Sequence, residues 1–131
     1  MSVIGRMLHA HPDDAEGVAE KVRAAVEACG LCAQVCAVCA DACMREEAVE
    51  LIWSARFDLD CADLCEATQR VLVRRTAEED GFVMAALEAC AQACDRCAQE
   101  CERHTHHEHC RVCAQVCRQC ARACRELLAA L

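Results

Sequence analysis

The chain has 131 residues, a formal net charge of −8, 2% aromatic residues and 16 cysteines. The acidic balance excludes a nucleic-acid partner, which needs Lys and Arg clustered on one face. With one tryptophan and no tyrosine, aromatic packing cannot supply the core, so the cysteines must form it or line it. The length is that of one domain, 1–131, large enough for a core if its helices pair along their length. The N-terminus, MSVIGRMLHAHPDD, has no apolar h-region and no cleavage site. The reading is therefore a cytoplasmic protein with reduced thiols, not a secreted disulfide scaffold. No run approaches the eighteen or more apolar residues of a membrane span, so no membrane partner is expected.

In chain order, residues 1–11 form a short leader carrying His9 and His11, expected to be mobile or to lie loosely on the rest. Pro12, the only proline, and the acidic pair Asp13–Asp14 suit a helix start. This first helix runs to about Arg45 and carries Cys29, Cys32, Cys36, Cys39 and Cys43 at intervals of three, four, three and four. Residues three and four apart share a helix face, so the five thiols make one stripe, roughly 21 Å long at 1.5 Å per residue. Val18, Val22 and Ala25 continue it toward the N-terminus. The turn near Arg45–Glu47 has no Gly or Pro and is placed by the need to fold back. A second helix, about Glu47–Arg75, carries Leu51, Ser54, Asp58, Cys61, Cys65, Thr68 and Leu72 in phase. Trp53 and Phe57 flank that stripe, where packing against a neighbouring helix or subunit is expected.

Residues 76–81, TAEEDG, read as a turn with Thr76 and Asp80 as possible caps, and a third helix follows with Val83, Leu87, Cys90, Cys94, Cys97, Cys101 and His104 in phase. Thr105–Glu108, THHE, reads as a capping box opening a fourth helix. That helix carries Cys110, Cys113, Cys117, Cys120 and Cys124, then Leu127, Leu128 and Leu131; its stretch 110–124 matches 29–43 at ten of fifteen positions.

Four such helices with short turns predict an all-α, up-down-up-down antiparallel bundle with a cysteine-lined core. One end gathers Val18, Val22, Leu72, Val83, Leu87, Leu127 and Leu131 into an apolar plug. The other gathers Cys43, Ser54, Asp58, Cys101, His104, His106 and Cys110 into a polar mouth. A buried free cysteine behaves as a small hydrophobe, but sixteen in register are too small to fill a bundle and leave a channel. Disulfides fit poorly between residues three or four apart on one helix. The stripes therefore read as metal ligands. Thiolates favour Cu(I), Zn(II) or iron-sulfur clusters. One Cu(I) per thiolate leaves a dry tube neutral, whereas each Zn(II) in a four-cysteine site leaves net negative charge. Continuous stripes suit a low-coordinate ion bridging neighbours, and the C-X2-C-X2-C run of bacterial ferredoxins is absent. A zinc or general soft-metal buffer stays open beside copper. So, in another class, does an iron-sulfur electron carrier or a thiol redox enzyme.

The repeated C-X3-C-X2-C-X3-C, the two-cysteine second helix, the histidine-rich third turn and the absent signal peptide resemble the cytosolic branch of the bacterial copper storage proteins. The resemblance covers the chain after the leader. It implies a non-enzymatic store, a four-helix bundle that fills with Cu(I) through one end, assembled as a homo-oligomer, usually a tetramer. It also implies copper ligation by all sixteen cysteines, at a capacity on the order of one Cu(I) per cysteine. Exported members carry a signal and methionines at the mouth, and this chain has neither. His104 and His106 are both expected to point inward, placed to pass Cu(I) to the first thiolates. Asp58 is expected to face the lumen beside them, where it would attract a cation or hold a histidine tautomer. The alternative for each is a polar residue closing a wet bundle end. His107 and His109 project off the stripe and are expected to be solvated, and Met44 is expected to pack. Outward Ile52, with Trp53 and Phe57, suggests self-association.

Overall fold

The computed structural model describes residues 2–12, 18–74 and 81–131, and every regular element among them is a helix. The leader differs from expectation. Val3–His9 is a helix, α1, in which Ser2 caps the first turn by accepting from the Gly5 amide at 3.0 Å. The Ser2 hydroxyl also donates to Glu27 at 2.5 Å, and Leu8 is buried in the core. A serine N-cap and one apolar anchor suffice to dock a short amphipathic helix. The expected start at Pro12–Asp14 runs into residues 13–17, and the Thr76 and Asp80 caps of the 76–81 turn also lie outside the described residues.

The four long helices are α2 (Ala19–Arg45), α3 (Ile52–Arg74), α4 (Gly81–Cys101) and α5 (Glu108–Ala130). α2 and α4 each pack on both α3 and α5, which is the neighbour pattern of an antiparallel up-down-up-down bundle. Small residues make this possible: Ala40, Ala91, Ala98, Ala114 and Ala121 are buried beside the cysteines and let the backbones approach. By length and composition α2 could cross a membrane, with a mean hydropathy of 1.5, contrary to the expectation that no run would qualify. The hydropathy comes largely from the cysteines and alanines of its inner face, which the other three helices bury.

One end of the bundle is apolar, as expected from the stripes. Val22, Leu72, Leu87 and Leu127 are buried there, Val18 and Val83 pack against them, and Leu8 of α1 joins the same core. Leu131 is 46% exposed and takes no part. On the flank of α3, Phe57 lies 5.8 Å from Trp53 and under the Arg96 guanidinium of α4 at 4.2 Å, while Trp53 itself faces out.

Both turns at the opposite end differ from the sequence reading. α2 ends at Arg45 with Glu46 as its cap, and Glu47 adopts φ 55°, the left-handed conformation that usually falls to glycine after a helix. A one-turn 3-10 helix, Val49–Leu51, then leads into α3. The chain reverses here through a strained residue, which explains why composition marked no turn. Replacing Glu47 with Gly is expected to stabilise the reduced apo-protein by about 0.5–1 kcal/mol, read by urea denaturation. At the third turn Thr105 does not cap α5. It closes a 3-10 turn, Glu102–His104, and His107 precedes the first helical residue, Glu108, whose carboxylate pairs with Arg111 instead of reaching back.

Candidate metal centre

All sixteen cysteines are buried free thiols. Their sulfurs run through the bundle in antiparallel register. Near the plug Cys29 lies 3.8 Å from Cys90, 3.9 Å from Cys124 and 3.7 Å from Cys120. Next come Cys65, 3.7 Å from Cys90 and 3.6 Å from Cys94, and Cys61, 3.6 Å from Cys94. Cys32 meets Cys117 at 3.7 Å, and Cys36 meets Cys117 at 3.6 Å and Cys113 at 3.8 Å. At the far end Cys43 meets Cys110 at 3.9 Å. The ligand atoms form sets lying within 4.8 Å of one another, and the sets overlap: Cys32, Cys36, Cys61 and Cys117 each belong to two.

Among the described residues Asp58 is the one carboxylate inside this tube. It is fully buried, and Oδ1 accepts from the thiols of Cys97 at 2.9 Å, Cys113 at 3.2 Å and Cys101 at 3.7 Å, while Oδ2 has no hydrogen-bond partner. It therefore sits deeper than expected, among sulfurs and not beside the mouth histidines. Burial is the largest cause that pushes its carboxyl up to about 8. Ser54, one turn earlier on the same face, is likewise buried with an unpaired hydroxyl. Burial also raises the thiols toward the mouth, Cys43 to about 11 and Cys110 further.

The mouth histidines sort differently from the stripe reading. His104 is buried, as expected, with Nε2 3.0 Å from a Glu100 oxygen. His106 is exposed, so its expected inward direction is corrected; the 3-10 turn before it breaks the periodicity on which that direction rested. His109, expected to be solvated, is instead turned into the tube. Its Nδ1 lies 3.4 Å from Cys39 and 3.6 Å from Cys110, completing a set with Cys43. α5 begins at Glu108, so His109 stands in the first turn, where a side chain leans back past the helix end toward α2. Its position next to Cys110 was the only signal in the sequence. His107, also expected to be solvated, is half-buried, with Nδ1 3.3 Å from Glu46, and the other Glu46 oxygen lies 3.6 Å from His109 Nε2. Met44 is 60% exposed and does not pack as expected. The mouth thus offers imidazole nitrogens backed by carboxylates, leading to soft thiols.

No curated protein matches the chain in a sequence comparison. A family model described as copper storage protein matches residues 18–129. Among solved structures, the chain is similar to the copper storage protein Ccsp of Streptomyces lividans loaded with 10 copper equivalents. The identity is 47%, the TM-score 0.92, and the match covers 98% of this chain and 99% of that one. A second structure, of a cytosolic copper storage protein from Streptomyces lividans with five coppers, shows 50% identity and a TM-score of 0.83 over 86% of this chain and 95% of that one. A Nitrosospira multiformis protein shares 27% identity, with a TM-score of 0.73 over 86% of this chain and 98% of its own. With its sulfur-lined four-helix bundle and a family match spanning nearly all of it, the chain belongs to the copper storage protein family.

Proposed function

We propose that this protein is a cytosolic Cu(I) store or buffer, a single bundle domain over residues 1–131, in which all sixteen cysteines serve as copper ligands. The observation that carries the reading is the overlap of the sulfur sets. A tetrahedral zinc site uses four ligands once, whereas thiols shared between successive sets suit bridging thiolates and a chain of low-coordinate ions. The S···S gaps of 3.6–4.0 Å do not decide the matter. They match about 3.8–4.0 Å across three- or four-coordinate ions with bonds near 2.3 Å. Charge supports the reading: among the described residues no Lys or Arg enters the tube, one Cu(I) per thiolate leaves it neutral, and each Zn(II) in a four-cysteine site leaves net negative charge.

His104 and His109 are proposed to receive Cu(I) at the mouth and hand it inward, His109 Nδ1 joining Cys39, Cys43 and Cys110 as a ligand. His106, though exposed, stands 6.4 Å from His104 and fits an outer contact. Asp58 fits two roles, accepting hydrogen bonds from thiols not yet metallated and, once its own proton has left, drawing the cation inward. The proposed role is storage and not catalysis, with copper ions as the cargo. A homo-oligomer, a tetramer by resemblance, fits the outward Leu31, Val38, Ile52 and Trp53.

Copper binds the thiolate, so every thiol that is protonated before loading, as burial keeps Cys43 and Cys110, must give up its proton. Anaerobic loading in weak buffer is expected to release at most about one proton per Cu(I), measured by pH-stat. Two or more protons per ion would indicate divalent, discrete sites and contradict the reading.

A further inference from the structure

Glu100 is an unusual carboxylate. Its side chain is only 12% exposed, although it stands in the last turn of α4. Burying a carboxylate is costly unless charge partners or hydrogen bonds compensate. Glu100 has two such partners: His104 Nε2 at 3.0 Å and the largely exposed Arg103 guanidinium at 3.4 Å. The His104 ring is itself only 11% exposed, so the pair is enclosed at the rim of the tube, one turn beyond Cys101.

The contact has a chemical direction. A carboxylate can only accept, so the proton of a neutral His104 ring must sit on Nε2. The lone pair then sits on Nδ1. Without that partner an imidazole is free to take the other tautomer, which moves the lone pair to Nε2, and to rotate, and each change takes the lone pair away from the place where Nδ1 holds it. Across the mouth His109 has the same polarity, Nδ1 toward Cys39 and Cys110 and Nε2 toward Glu46.

We infer that Glu100 is a positioning residue for copper entry: it fixes the tautomer and orientation of His104 so that Nδ1 meets incoming Cu(I). This rests on the storage reading proposed above. Glu100 does not touch the metal in this account and adds nothing to capacity.

The test uses the full-length reduced protein and two variants. Glu100→Ala removes the acceptor; Glu100→Gln keeps an acceptor oxygen without the charge. In the apo-protein, long-range 1H–15N correlation spectra of His104 read the tautomer without any copper. Wild type is expected to show the Nε2–H form, Glu100→Gln the same form, and Glu100→Ala a mixture. The rate of Cu(I) capture from a chromophoric Cu(I)–chelator complex is then expected to fall about 10–100-fold in Glu100→Ala and within about threefold in Glu100→Gln, with final capacity unchanged. An unaltered tautomer in Glu100→Ala would overturn the inference. So would an altered tautomer with unchanged capture, or equal slowing in both variants, which would assign Glu100 an electrostatic role only. Failure of the storage reading is a separate result, a wild-type capacity of a few ions, and leaves the tautomer measurement intact.

Discussion

Raising the pH from 4 to 8 is expected to remove roughly 5 kcal/mol of stability from the reduced apo-protein, and Asp58→Asn is expected to abolish that loss. Asp58 is fully buried among thiols, and burial is the main cause that lifts its carboxyl from the ordinary aspartate value to about 8. The sign follows from which state holds the proton. Above about pH 4 the unfolded chain gives it up while the folded chain keeps it, so each pH unit favours unfolding until the folded pKa is reached. Stability is thus fully present below pH 4 and lost progressively up to about pH 8. The loss is comparable with the whole stability of a small domain. Asn keeps the shape without the charge, and the variant should match wild type at pH 4 and exceed it by several kcal/mol at pH 8. Urea denaturation of both proteins across this range reads the difference. A wild-type slope that persists in Asp58→Asn would place its origin elsewhere.

The second large effect is at the closed end. Leu87 and Leu127 are fully buried where α4 and α5 meet the start of α2, in one apolar cluster with Val22 and Leu72. Truncation leaves a cavity that the bundle cannot fully collapse, because the adjoining layers are small cysteines and alanines. Leu127→Ala is therefore expected to cost about 2–5 kcal/mol in denaturant unfolding, with the copper capacity of the folded protein unchanged because no sulfur is touched. A cost below about 1 kcal/mol would mean the end is not packed as described. A reduced capacity would mean the plug and the tube are not independent.

The parts of the fold that were legible in the sequence are those written by periodicity over several turns. Cys29–Cys43 and Cys110–Cys124 each repeat a three-four spacing for four turns, and nothing but a helix keeps such residues on one face. The plug leucines and valines follow the same phase, and four of them are buried together. What escaped the reading lies where a stripe ends and tertiary contacts take over. The α1 helix has only seven residues, and its docking depends on Leu8 and on the Ser2–Glu27 contact, which spans 25 positions. Glu47 turns the chain in a left-handed conformation that composition does not announce, held by the packing of α2 on α3. The THHE capping box was a sound local signal, but a 3-10 turn after Cys101 consumes Thr105 and delays α5 to Glu108. That delay exchanges the roles of two histidines: His106 stays outside, and His109 faces the thiols. Asp58 was read correctly as facing the lumen, but its depth among Cys97, Cys101 and Cys113 depends on the relative heights of α3, α4 and α5, which no single-helix pattern encodes.

The central claim is that one continuous tube, and not a few separate sites, holds the metal. Its most direct test is an anaerobic titration of the fully reduced apo-protein with Cu(I) against a chromophoric Cu(I) chelator, counting the ions bound before the chelator colours. The account predicts a count near one per cysteine, on the order of 16 per chain, in a colourless protein. Three or four ions per chain, or loss of copper to the chelator from the first addition, would contradict it and assign the stripes to discrete sites.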